Sequence, residues 1–156
     1  MNSEKKFPLE FINRIENLLG NEANDFFSSL SQPPFLSVRI NPFKLIGKDR
    51  ACPVFNNCET VPWCSDGKYL KSRPSFTMDP LFHAGTYYVQ EPSSMFLSEI
   101  FKQQFPSQPS HLKILDLCAA PGGKSTLILS EISPESFLIA NETIRSRVSA
   151  LHENIM

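Results

Sequence analysis

The chain has 156 residues and a mass of 17.6 kDa, room for one domain or two small ones. Apolar residues make up 41% and charged residues 20%, which excludes a low-hydrophobicity disordered chain. The longest apolar runs, such as 137–140, are four residues, far short of the roughly 20 a spanning helix needs. The net charge of −1 hides a basic stretch. Between Arg39 and Arg73 stand Arg39, Lys44, Lys48, Arg50, Lys68, Lys71 and Arg73, against only Asp49, Glu59 and Asp66. Such a stretch suits a patch for a polyanion, although on charge alone a solvated surface loop is the preferred reading.

In chain order, residues 8–19 read as an amphipathic helix, with Leu9, Ile12, Ile15, Leu18 and Leu19 at helical spacing. Pro8 suits its first turn and Gly20 its stop. A second helix fits 22–30, with Asn21 as cap and Pro33-Pro34 as terminator. Residues 35–40 read as a strand closed by Asn41-Pro42. Residues 41–80 hold few periods and read as short strands and ordered loops. A helix is expected over 92–104, its stripe being Phe96, Leu97, Ile100 and Phe101, and 105–110 is the best linker candidate. Gln90, Glu91, Ser93 and Ser94 suit its cap, with Pro92 in the first turn.

Beyond the linker the pattern changes. Residues 112–117 read as a strand of a buried parallel sheet, 124–131 as a helix, 137–140 as a second strand. A last helix over 143–155 carries Ile144, Val148, Leu151 and Ile155 on one stripe. Strand–helix–strand–helix is the opening of a doubly wound α/β domain.

The four cysteines, Cys52, Cys58, Cys64 and Cys118, lack the spacing of common zinc sites, so no metal is expected. Without an apolar stretch after the N-terminal lysines no signal peptide is expected, and the thiols read as free in a reducing, cytoplasmic setting. Trp63, Tyr69, Tyr87 and Tyr88 suit either base stacking or a core, and His83 and His111 read as structural.

Chemistry concentrates in Asp116-Leu-Cys-Ala-Ala-Pro-Gly-Gly-Lys124, where a strand passes into a helix. Small residues there let a nucleotide-like ligand approach the backbone, and the helix start presents free N–H groups. Asp116 either orders the turn or accepts a hydrogen bond from the ligand. Glu142 stands 19 residues beyond Gly123, at the tip of the second strand, where an acid can take both ribose hydroxyls. The dinucleotide fingerprint is absent, since only Gly122 and Gly123 are glycine. A phosphate loop nearly matches at Gly123-Lys124-Ser125, but its first glycine falls on Cys118.

The same nine residues resemble the S-adenosylmethionine motif of the Nol/Nop/Sun family of RNA (cytosine-5) methyltransferases. The resemblance continues in Ala140-Asn-Glu142, Arg145-Ser-Arg147 and Leu151-His-Glu-Asn154, and in Tyr87-Tyr-Val-Gln-Glu-Pro-Ser-Ser-Met95. Residues 8–19 and Ser37-Val-Arg-Ile-Asn-Pro42 are similar to the substrate region of the bacterial branch that modifies 16S ribosomal RNA. The resemblance implies a small N-terminal α+β region, then the first half of a Rossmann-like methyltransferase domain.

It also implies that Cys118, Ala119, Ala120, Pro121, Gly122, Gly123 and Lys124 wrap S-adenosyl-L-methionine and that Glu142 holds its ribose. Arg39 and Lys44 become candidate contacts to RNA phosphates. The expected division is 1–80 for RNA positioning, 81–110 as a connecting helix segment and 111–156 as the first half of the cofactor domain. The expected partner is RNA, 16S ribosomal RNA or the small subunit, and no membrane.

In the family a cysteine thiolate attacks cytosine carbon-6, so that carbon-5 takes the methyl group. Both family cysteines lie downstream of the second helix of the domain, past Met156. No catalytic residue is therefore expected in this chain, which alone should be inactive and marginally stable over its last 45 residues. Half a sheet is expected to leave an open edge and an uncovered apolar face. The competing expectations are a non-catalytic RNA-binding remnant and a phosphate-loop nucleotide binder.

Overall fold

A computed structural model describes residues 7–44, 55, 57–107 and 110–156, which fall into two compact units divided after Pro34. In the first unit, helix α1 (Leu9–Leu19) runs through a 3-10 turn at Gly20–Glu22 into α2 (Ala23–Leu30). Gly20 ends α1 with a positive φ of 54°, as its position implied. The two helices meet through Phe7, Phe11, Phe26 and Phe27, whose ring centroids lie 5.6–6.4 Å apart. Asn21 does not cap α2: it lies inside the 3-10 turn, and no side chain caps that helix.

The second unit begins with an antiparallel sheet in the order β2–β3–β1–β4, comprising β1 (Ser37–Ile40), β2 (Thr60–Val61), β3 (Cys64–Tyr69) and β4 (Tyr87–Val89). Central strand β1 is buried along its whole length, because both faces of the sheet are covered. On one face Val38 and Ile40 pack with Phe55, Phe76 and Tyr87. A separate cluster joins Val61 and Cys64 to Met95 and Leu127, the last two fully buried. Burying side chains of that size is worth about 1.5–3 kcal/mol each. Short helix α3 (Pro80–His83) is capped by Asp79, which accepts from the Leu81 N–H at 2.9 Å.

The helix expected over 92–104 is divided: Pro92–Met95 form a 3-10 turn and Phe96–Gln104 form α4. Glu91 caps the turn by accepting from the Ser94 N–H. The expected stripe is only partly used. Phe96 and Ile100 stay 48% and 46% exposed, and the fully buried residue of α4 is Ser98, bonded to Glu131.

The chain then forms β5 (Lys113–Asp116), α5 (Gly123–Glu131), β6 (Phe137–Ala140) and α6 (Arg145–Ile155). β5 and β6 pair in parallel, Ile114 opposite Leu138 and Leu115 opposite Ile139. Their sheet is not buried as expected. One face, with Leu115, Phe137 and Ile139, is 49–61% exposed. A parallel pair needs cover on both faces, and the described residues supply it on one. This is the open, half-covered sheet that the strand count implied. The fold is thus α/β, with an α+β region followed by the opening of a Rossmann-like domain.

Candidate functional site

The β5–α5 turn is built by its own side chains. Asp116 Oδ1 accepts from the Cys118 N–H at 3.3 Å and Oδ2 from the Ser125 hydroxyl at 2.7 Å. Of the two roles open to Asp116, the structure shows the ordering one. Gly122 carries a φ of 115°, a conformation L side chains rarely adopt, and a Cβ there would lie 3.1 Å from Asn154 Cβ. A Cβ on Gly123 would lie 3.1 Å from the Tyr88 ring. Both glycines therefore serve close packing.

The other small residues follow the same logic. Ala119 and Ala120 are 4% and 5% exposed and pack on Leu151 of α6. Asn154 donates to the Pro121 carbonyl at 2.8 Å. Leu117, Cys118, Pro121 and Lys124 are the exposed side chains of the turn. The peptide bond before Pro121 is cis.

Glu142 stands beyond the tip of β6, across from this turn. Its side chain is 4% exposed. Oε1 accepts from the Ile144 N–H at 2.8 Å, whereas Oε2 is buried and accepts no hydrogen bond. The Ile144 N–H, with the Arg147 charge adding to it, holds the carboxyl below its ordinary value. Arg147 Nη1 lies 3.3 Å from Oε2, and Nη2 donates to the Ala120 carbonyl. The carboxylate is ion-paired through Oε2 and hydrogen-bonded through Oε1, and its remaining lone pairs can accept from a ligand hydroxyl. This acceptor, with the first-turn N–H groups of α5 as donors, fits the ribose and polar groups of S-adenosylmethionine.

Arg39 departs from its expected place. It is 2% exposed, on the sheet face it shares with Gly67 and Tyr88. Its Nε donates to Gln90 Oε1 at 2.8 Å and its Nη2 to Thr126 Oγ1 at 2.7 Å. Burial lowers the guanidinium from its ordinary value. An open phosphate contact at Arg39 is corrected to an internal tie between β1 and α5. Gln90, expected among the cap residues, turns inward and donates to the Gly123 carbonyl at 3.2 Å.

Lys44 is half-buried on the wall of a cleft of about 380 Å³ that includes Tyr88, Thr126 and Asn154. No carboxylate lies within 4.0 Å of its ammonium among the described residues. The cleft thus opens between the four-stranded sheet and the helices that frame the turn. Tyr87 is buried, while Trp63, Tyr69 and Tyr88 are half-buried. His83 bonds the Thr77 carbonyl at 2.9 Å.

Cys52 lies outside the described residues. Cys58 is half-buried, Cys64 buried with its thiol pushed up by burial, and Cys118 exposed. No cluster that could hold a metal ion occurs among the described residues, and no described helix is long and apolar enough to cross a membrane.

Sequence reasoning quoted Arg147 but gave it no role, and missed Thr126 altogether. The signal for Arg147 was its place five residues beyond the acid, in the first turn of α6. Nothing local marks Thr126, whose partner lies 87 positions away.

Residues 7–92 match the family described as the N-terminal domain of 16S rRNA methyltransferase RsmF, and residues 106–156 match 16S rRNA methyltransferase RsmB/F. Ribosomal RNA small subunit methyltransferase F of Vibrio parahaemolyticus is 35% identical over 95% of this chain and 32% of its own length. The protein of the same name from Pectobacterium atrosepticum is 32% identical over 95% of this chain and 32% of its own. The chain therefore spans about a third of the curated relatives it matches.

Among solved structures, a methyltransferase homolog from Pyrococcus horikoshii superposes with a TM-score of 0.76 at 24% identity, over 96% of this chain and 49% of that one. NSun6 from the same organism, solved with SFG, gives 0.71 at 16% identity, over 96% of this chain and 62% of that one. These two show the fold alone. The two family matches together run from residue 7 to residue 156, and the chain belongs to the RsmF family of 16S rRNA methyltransferases.

Proposed function

We propose that these residues carry the cofactor- and RNA-binding parts of an enzyme that transfers a methyl group from S-adenosylmethionine to cytosine carbon-5 in 16S ribosomal RNA. The observation that carries the reading is Glu142 Oε2, buried and without a hydrogen bond beside the 116–124 turn. Cys118 to Lys124 contact the cofactor, Ala119, Ala120 and Gly122 doing so through backbone, since their side-chain positions are taken by packing. Glu142 receives the ribose.

Residues 111–156 form the cofactor part, 1–80 position RNA and 81–110 connect them. Lys44 meets an RNA phosphate at the cleft, and Arg39 supports that wall from inside. The catalytic cysteine belongs to the part of the relatives that this chain does not span. The setting is the bacterial cytoplasm, with the small ribosomal subunit or its RNA as partner.

A calorimetric titration compares S-adenosylmethionine with adenosine triphosphate. Heat on adding the methyl donor alone supports the reading. Magnesium-dependent binding of the triphosphate that is lost on Lys124→Ala overturns it in favour of a phosphate-binding turn. Salt-dependent RNA binding with no response to either nucleotide reduces the chain to an RNA-binding element.

A further inference from the structure

We propose that Arg147 is a positioning residue for the cofactor ribose, because its guanidinium joins the Glu142 carboxylate to the Ala120 carbonyl and so fixes the acceptor relative to the β5–α5 turn. The proposal rests on the reading that Glu142 receives ribose hydroxyls.

Arg147 Nη2 donates to the Ala120 carbonyl while Nη1 sits 3.3 Å from Glu142 Oε2. One planar group thus spans both walls of the candidate site, and its rigid fork sets direction where an ammonium would supply only charge. The carboxylate is held from two sides. Ile144 N–H fixes Oε1, and Arg147 faces Oε2, the buried oxygen left without a hydrogen bond.

The arginine is itself anchored. It stands in the first turn of α6, whose Leu151 is 6% exposed against Ala119 and Ala120. Its own side chain remains 46% exposed, and an ion pair that open would contribute little by its charge alone. What it contributes is position: it holds the carboxylate, through Oε2, at a fixed place beside the Ala120 carbonyl of the turn.

The test titrates S-adenosylmethionine, and an analogue lacking both ribose hydroxyls, into the unaltered chain, Arg147→Ala and Arg147→Lys. Arg147→Ala is expected to weaken S-adenosylmethionine roughly tenfold, the size of one charge-assisted hydrogen bond, while the dideoxy analogue changes little. The discrimination between the two then collapses, and Arg147→Lys recovers part of it. Equal weakening of both ligands, or none, overturns the proposal.

A carbon-13 titration of the Glu142 carboxyl gives a readout independent of ligand. Its pKa is expected to rise toward the ordinary value in Arg147→Ala, and an unmoved pKa also overturns the proposal. If the unaltered chain binds no S-adenosylmethionine, the ribose role fails together with the cofactor reading, even where the carboxyl pKa responds.

Discussion

Arg39 of β1 donates through Nη2 to Thr126 Oγ1 of α5 at 2.7 Å, joining two residues 87 positions apart. The same guanidinium donates to Gln90 Oε1 at 2.8 Å, and Gln90 in turn donates to the Gly123 carbonyl at 3.2 Å. A buried cation thereby links the sheet to the first turn of the helix that follows the candidate cofactor turn. Truncating it leaves Gln90 and Thr126 without their donor inside the fold.

Arg39→Ala is expected to cost about 2–4 kcal/mol, from a cavity and unpaired buried polar groups. Urea denaturation followed by Trp63 fluorescence measures it. A loss below about 0.5 kcal/mol would show that the network carries no stability. Arg39→Lys should recover little, since an ammonium cannot reproduce the fork that reaches both Gln90 and Thr126.

Gly67 faces Arg39 across the sheet, and a Cβ there would lie 2.7 Å from Met95 Sδ and 2.9 Å from Val61 Cβ. Met95 is fully buried and Val61 is 1% exposed, so neither has open space to move into. Gly67→Ala is expected to destabilise by about 1–3 kcal/mol through overpacking, read as a lower urea midpoint with unchanged slope. An unchanged midpoint would mean that the Met95 side chain yields freely.

Glu142 sets a pH dependence. Its carboxyl is held below the ordinary value of 4.5, first by the Ile144 N–H and then by the Arg147 charge. The folded state therefore binds the proton less tightly than the unfolded state. The stability this confers is present above the unfolded pKa and is lost as pH falls through the lower folded value. Comparing the unaltered chain with Glu142→Gln, the difference in stability should be constant at neutral pH and shrink on acidification below about 4.5. A difference that grows with acid would have the wrong sign.

The exposed face of β5 and β6 is a liability rather than a core. Leu115, paired with Ile139, is 55% exposed and Ile139 49%. Leu115→Lys combined with Ile139→Lys should change the chain's stability by less than about 1 kcal/mol while reducing self-association, seen by light scattering. A large loss of stability would mean that this face is covered within the chain itself.

Much of the architecture was legible in the residues. The α1 helix with its Gly20 stop, the parallel β5–β6 pair and the intervening turn follow from periodicity and punctuation, which are local signals, although Leu9 and Leu18 of the expected α1 stripe stay exposed and Phe11 makes the contact instead. Asp116, ordering the turn through Cys118 and Ser125, acts within nine residues and was one of two readings open to it. Arg39 was not legible, because a basic residue in an alternating strand looks like a solvent-facing one. Gln90 and Thr126, brought from 51 and 87 positions away, join the Gly123 carbonyl in accepting from the buried guanidinium. The turn's small residues raise the same issue: local sequence cannot tell glycines that admit a ligand from glycines that admit Tyr88 and Asn154.

The measurement that tests the account most directly is a two-dimensional amide NMR titration of the isotope-labelled chain with S-adenosylmethionine. It registers weak binding and reports where the ligand sits. The account predicts shifts concentrated at Cys118 to Lys124 and at Glu142, abolished by Glu142→Ala, with the β1–β3 strands unmoved. Saturating ligand that shifts none of these amides, or shifts concentrated on residues remote from both the turn and Glu142, would contradict it.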